Sequence, residues 1–216
     1  MNKKDIEKAI KELKENSPKR NFKQRVDLII KLKNLDIKKP ENQLEFFVLL
    51  HFNLGKRIKV CALVGPELKD EAIKTCDKTI IQDEFDKLDK KTIKKISRDY
   101  DVFIAQANIM PKVATTFGRV LGPKGKMPNP KAGCVIPPKA TLTQLYDKLQ
   151  KTVKISTKKS TVIQCSVGTE DTNDTELIDN ILTIYNSVIH HLPNERNNIK
   201  EVLVKLTMSK PVKIPH

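Results

Sequence analysis

The stretch Phe117-Gly-Arg-Val-Leu-Gly-Pro-Lys-Gly-Lys-Met-Pro-Asn-Pro-Lys-Ala-Gly133 holds four of the chain's seven glycines and three of its twelve prolines. Arg119, Lys124, Lys126 and Lys131 give it four positive charges, and no acid lies among them. Proline removes a backbone donor and cannot continue a helix or a central strand. Glycine admits φ > 0 and lets a partner approach the backbone. The composition predicts a structured cationic loop whose N–H groups are available to an anion. An ordinary solvated loop uses the same residues. A nucleotide-binding P-loop does not fit, because it needs Gly five positions before its Gly-Lys pair and Ser or Thr after it. Here those positions hold Val120 and Met127.

The chain of 216 residues has room for one large domain or two modest ones. Hydrophobic residues make up 38% and charged residues 31%, enough for a core under a heavily solvated surface. The net charge of +15 points to nucleic acid or an acidic membrane surface. No apolar run approaches the roughly 18 residues of a spanning helix. The opening Met-Asn-Lys-Lys-Asp lacks the apolar core of a signal peptide. A cytoplasmic location, no membrane and a nucleic-acid partner are therefore expected. Cys61, Cys76, Cys134 and Cys165 lie 15, 58 and 31 residues apart, which suits neither a zinc site nor a disulfide framework. No metal and no cofactor are expected. Cys61 reads as a small core residue. His190 and His191 are adjacent and read as helix-end residues.

Outward from the loop, residues 56–151 have one style. Near-continuous apolar runs at 58–64, 79–81 and 102–107 alternate with helical patterns at about 66–76, 83–100, 108–121 and 140–150. Strands buried on both faces and separated by helices indicate a parallel sheet covered by helices, a Rossmann-like three-layer α/β/α domain. Only Gly65 follows the first of these strands, so a dinucleotide role is unsupported. The two ends of the chain have another style. Residues 5–16 carry a helical stripe of Ile6, Ala9, Ile10 and Leu13, closed by Pro18. Residues 24–36 alternate strictly, with Val26, Leu28, Ile30 and Leu32 against Arg25, Asp27, Ile29, Lys31 and Lys33. Pro40 and Asn42 mark a turn before a second apolar stretch at 43–52. Alternation returns after residue 150, around Val153 and Ile155, then around Ile163, Cys165 and Val167. A long helix follows, with Asn173 and Glu176 at N-cap and N3 spacing and a stripe from Leu177 to Leu192. The last strand places Val202, Val204 and Leu206 inward. The pattern predicts an α/β chain of two domains. A discontinuous α+β domain of split β-α-β type, with an antiparallel sheet, spans 1–55 and 152–216. The Rossmann-like domain, 56–151, is inserted into it, and the two crossings make a hinge.

If the strands of the discontinuous domain form one sheet, Arg25, Lys31, Lys33, Lys154, Lys158 and Lys205 give it a basic front, set against Asp27 and Glu201. An ordinary solvated sheet face would look the same. Few aromatics are present for stacking bases, so phosphate, 2′-hydroxyl and shape contacts are favoured over single-strand recognition.

The words of the loop resemble the signature of the large-subunit ribosomal protein L-one family, above all Leu121-Gly-Pro-Lys-Gly-Lys-Met-Pro-Asn-Pro-Lys131, and the resemblance covers essentially the whole chain in an archaeal style. It implies a non-catalytic protein with the inserted two-domain fold, monomeric when free. It also implies binding to large-subunit ribosomal RNA in a mobile stalk, with transfer RNA in the exit site and the protein's own messenger as further partners. Release of deacylated transfer RNA and repression of that messenger's translation follow from the same resemblance. In that family a Phe before the first strand and a Thr-Met-Gly turn after the last form the core of the RNA site. Phe22, Thr207 and Met208 match, and Lys31 and Asp27 occupy the family's polar positions. Ser209 replaces the Gly, and Glu201 stands where a Ser is common. A Ser held at φ > 0 costs about 1–2 kcal/mol, so a turn of different form is expected. An acid facing a phosphate would repel it. The expected RNA contacts are Phe22, Arg25, Asp27, Lys31, Gln164, Ser166, Lys205, Thr207, Met208 and Ser209, with Arg119, Lys124, Lys126 and Lys131 as a secondary basic loop. Two alternatives carry weight: an enzyme gripping a phosphorylated ligand with Lys124 and Lys126, and an RNA-binding protein outside the ribosome.

Overall fold

Strict apolar–polar alternation turns residues 25–32 into a strand that buries Val26, Leu28, Ile30 and Leu32 and leaves the side chains between them accessible. The computed structural model describes residues 1–18, 20–36, 39, 42–138, 141–158 and 160–215. In chain order its elements are α1 (Lys3–Glu15), β1 (Arg25–Leu32), β2 (Glu45–Leu49), β3 (Val60–Val64), α2 (Lys69–Thr75), β4 (Lys78–Ile81), α3 (Lys90–Asp99) and β5 (Val102–Gln106). They continue with α4 (Met110–Leu121), β6 (Val135–Ile136), α5 (Leu142–Gln150), β7 (Thr152–Ser156), β8 (Val162–Thr169), α6 (Asp174–His191), β9 (Ile199–Leu206) and β10 (Val212–Ile214). Contacts divide the chain into two units, Met1–Lys56 with Lys151–His216, and Arg57–Gln150.

In the first unit, four antiparallel strands run in the order β10-β9-β1-β8. Helices α1 and α6 cover its apolar face. Ile6, Ile10 and Leu13 of α1 and Leu177, Ile181, Ile184 and Val188 of α6 meet the inward residues of the strands in one core. Each fully buried aliphatic side chain there contributes roughly 1.5–3 kcal/mol. Where β8 passes under α6, a Cβ on Gly168 would stand 2.5 Å from Leu177 Cδ2, so a larger residue there would have to displace that side chain. Strands β2 and β7 form a separate antiparallel pair.

In the second unit, four parallel strands run in the order β4-β3-β5-β6. Two cores lie on opposite faces of this sheet. Cys61, Leu63 and Phe103 pack with Ile93 and Ile96 of α3 and Val113 and Phe117 of α4. Val60, Ala62, Val64 and Ile104 pack with Ala72 of α2 and Leu142 and Leu149 of α5. That accounts for strands apolar at every position.

The helical pattern at 83–100 resolves into two pieces, a 3-10 segment at Gln82–Lys87 and α3, because Leu88 is extended and Asp89 starts the second piece. Strands β6 and β10 escape periodicity altogether: two and three residues beside prolines are too short to show alternation. Asn173 stands at the N-cap of α6 as its spacing indicates, but its side chain makes no capping bond. Pro40 lies outside the described residues. Among the described residues, no helix is long and apolar enough to cross a membrane.

Candidate nucleic-acid interface

The outward residues of β1 and its neighbours form a polar face. Register sets Asp27 opposite Ser166 on one side and Lys205 on the other, and Ile29 opposite Gln164 and Leu203. Arg25, Asp27, Ile29, Gln164, Ser166 and Lys205 line a shallow hollow on it. Partial burial raises the Asp27 carboxyl above the usual range, an effect that Arg25 and Lys205 only partly offset. Lys213 of β10 joins this face, since it stands opposite Leu203. Sequence reasoning missed it because β10 itself was missed.

Two expectations for this face need correction. Lys154 and Lys158 are not on the same sheet: they belong to the β2–β7 side, where both pair with Glu45 at 3.0 and 2.5 Å. Lys31 and Glu201, opposite each other across β1 and β9, pair directly, and Lys31 holds the Glu201 carboxyl below its usual range. Glu201 thus neutralises a lysine rather than standing as a bare acid before a phosphate. The other cations, Arg25, Lys205 and Lys213 on the face and Lys33 just past the end of β1, have no ion pair among the described residues.

At the end of this face, residues almost the whole chain apart are tied together. The Arg25 N–H donates to Thr207 Oγ1 at 3.0 Å, and the Thr207 N–H donates to the Arg25 carbonyl at 3.1 Å. The Met208 N–H donates to Gln24 Oε1 at 3.2 Å. Gln24 is only 2% exposed. This buried amide was not legible in the sequence, because a lone Gln before a strand has no pattern. Two large apolar side chains are displayed to solvent, Met208 on this turn at 61% exposure and Phe22, in the segment before β1, at 49%. Burial is the ordinary fate of both residue types. Ser209 is not at positive φ; among the described residues only Asn34 and Glu195 are non-glycines there. Its hydroxyl accepts from the Leu206 N–H at 2.8 Å, so the serine turn is hydrogen-bonded rather than strained.

The basic loop is organised differently from its sequence reading. Helix α4 runs through Gly118 to Leu121, and the loop proper starts at Gly122. Its N–H groups are largely spent internally: Gly125 on Gly122, Lys126 on Leu121, Lys131 on Asn129 Oδ1 and Gly133 on Pro130. Gly133 takes φ 73° to end the turn, a conformation that disfavours a side chain. The Lys126 ammonium donates to the carbonyls of Ser97 and Tyr100 at 3.0 and 2.6 Å, and Lys124 donates to the Ser97 hydroxyl. Two cations therefore cap the C-terminal end of α3, where the helix dipole is negative. Lys126→Ala should cost about 1–2 kcal/mol of stability by stranding these carbonyls, read as a lowered melting transition. An unchanged melt would mean that the bonds are not formed in solution. Arg119 and Lys131 are exposed.

Residues 3–210 match the family described as Ribosomal protein L1p/L10e family. The chain belongs to that family. It is 41% identical over 216 residues to the large ribosomal subunit protein uL1 of Methanothermococcus thermolithotrophicus, covering 99% of each chain. With the protein of the same name from Hyperthermus butylicus it shares 36% over 211 residues, covering 97% of this chain and 95% of the other. With that of Nanoarchaeum equitans it shares 38% over 200 residues, covering 91% and 93%.

The protein is thus a ribosomal protein and not an enzyme. Lys124 and Lys126, the candidate phosphate grips, are engaged by α3. At the C-terminal edge of the parallel sheet, where doubly wound folds bind nucleotides, Gln106 Oε1 accepts from the Gly65 N–H at 2.8 Å. Gln106 Nε2 donates to Glu67 at 3.1 Å. That edge holds a protein amide and a carboxylate that repels phosphate. Burial pushes the Cys61 and Cys165 thiols up to about 12 and Cys76 up to about 11, so none of these is a thiolate at neutral pH.

Proposed function

We propose that the protein is an RNA-anchored constituent of the large ribosomal subunit in the cytoplasm. Its first unit is the RNA-binding domain. It seats ribosomal RNA on the polar sheet face and on the turn that carries Thr207, Met208 and Ser209, with Phe22 contributed by the segment before β1. The observation that carries this reading is the hydrogen-bonded tie of Arg25 and Gln24 to Thr207 and Met208, which fixes the exposed Met208 at the start of β1, where Arg25 has no ion pair and the preceding segment exposes Phe22. Apolar anchors next to phosphate-binding cations suit a folded RNA surface. Arg25, Lys205 and Lys213 position the backbone, while Gln164, Ser166 and Asp27 offer hydrogen bonds to 2′-hydroxyls or base edges. Relatives named as large ribosomal subunit proteins along the whole chain support the same reading.

The inserted unit is then carried on a hinge at the two crossings near residues 56 and 151, as part of a mobile stalk. That stalk assists release of deacylated transfer RNA, and the same RNA seat binds the protein's own messenger and represses its translation. The free protein is a monomer.

The test is competition. A structured large-subunit ribosomal RNA fragment, once bound, should resist displacement by duplex DNA at equal phosphate concentration. Equal competition by DNA would sink the specific RNA seat and leave a sequence-neutral binder. Repression is measured separately, by adding the protein to translation of its own messenger in vitro; unchanged output would remove that part alone.

A further inference from the structure

We propose that the exposed face of α3, in the second unit, is an additional contact surface for the phosphate backbone of structured RNA. The proposal rests on the reading that the protein is RNA-bound. Lys90, Lys91, Lys94, Lys95 and Arg98 are all exposed. At about 100° per residue they share an arc of roughly 140°, about 12 Å long. Ile93 and Ile96 point the other way, into the core. Asp89 and Asp99 flank the helix at its two ends, outside that arc.

Among the described residues none of these five cations has an ion pair, and the acids of the preceding segment, Asp83, Glu84 and Asp86, form none with them. Helix α1 is the contrast. Its lysines alternate with Asp5, Glu7, Glu12 and Glu15, and two of them are paired, Lys11 with Glu7 and Lys14 with Asp174. On α3 the pairs Lys90–Lys94, Lys91–Lys95 and Lys94–Arg98 set like charges four residues apart, which destabilises a helix. A solvated face gains nothing from that repulsion. An anionic partner relieves it.

The end of the helix completes the argument. A C-terminus ordinarily presents negative potential to an approaching anion. Here Lys124 and Lys126 cover it with two ammonium groups. Positive potential therefore extends along the whole exposed face. A membrane surface is a poor occupant, because α3 has no outward apolar stripe to insert. A phosphate chain needs only the charges.

The test uses the full chain with K91Q, K94Q, K95Q and R98Q combined, and purified large-subunit ribosomal RNA as probe, across a range of salt. Affinity at low salt should fall on the order of 10-fold, and the slope of log K against log[salt] should become shallower by roughly 2–3 units. K91R, K94R and K95R combined should keep the parental slope; a slope lost there too would rule out a charge effect and overturn the proposal. The milder pair K91Q and K95Q covers the case in which the fourfold variant melts early, and an unchanged slope in a folded pair overturns the proposal. Met208→Ala is measured in parallel. If it loses binding while the fourfold variant binds like the parent, α3 is a solvated face and the sheet anchor stands. If Met208→Ala binds normally, the anchor itself is wrong. Should the glutamines weaken capture of poly-glutamate but leave RNA binding intact, an acidic polypeptide occupies α3 and the RNA assignment fails.

Discussion

Met208→Ala should weaken binding to large-subunit ribosomal RNA by about 30-fold or more and leave the salt slope of that binding unchanged. The side chain is 61% exposed in the free protein, so its removal costs the fold little. Its backbone is held by Gln24, and Thr207 beside it is held by Arg25, so the methionine stands on a fixed platform. An apolar anchor that becomes buried on binding typically costs more than about 2 kcal/mol when truncated, hence the factor. It bears no charge and releases no counterions, hence the unchanged slope. Two binding curves per protein, at low and high salt, with a thermal melt for each, are sufficient. A loss of less than threefold in a folded variant would remove Met208 from the interface. Phe22 and the serine turn would then need another explanation.

The second large effect belongs to the core. Leu28→Ala should destabilise the first unit by about 3 kcal/mol and lower its transition by on the order of 10 °C. Leu28 is 0% exposed and sits on the central strand, facing Cys165 on β8 and Val204 on β9 in register. It faces away from the proposed RNA seat, so the intrinsic contacts are kept. RNA at about one hundred times its dissociation constant should restore about 2.7 kcal/mol by mass action. The same RNA should restore much less to Met208→Ala, whose affinity is the thing damaged. Calorimetry with and without RNA separates the two. If RNA fails to raise the Leu28→Ala transition, the polar face of this sheet is not where RNA binds.

These two side chains show how differently the parts of the protein are written in its sequence. Leu28 was legible as core from its neighbours alone, because a period of two puts Val26, Leu28, Ile30 and Leu32 on one face whatever they pair with. The four parallel strands of the middle block were harder. Three read as buried strands, while Val135–Ile136 is too short to show any period. Met208 was legible only by resemblance: an isolated Met after a strand defaults to a core or turn reading, and its exposure depends on what folds beside it. Gln24 and Lys213 were not legible, since one depends on a cross-chain hydrogen bond and the other on a three-residue strand after a proline.

By itself the sequence determined the fold class, the alternation that makes β1 a half-buried strand, the amphipathic helices α1 and α6, and the family, because periodicity and a long motif are local properties. Tertiary structure alone decided the charges. Counting outward lysines overstates the basic face, since Lys31 is neutralised by Glu201 across the sheet and Lys154 and Lys158 by Glu45 on a separate pair of strands. It also decided that Lys124 and Lys126 of the glycine-rich loop cap a helix instead of waiting for an anion. An ion pair depends on two residues brought within a few ångströms from anywhere in the chain. No window of sequence contains that distance.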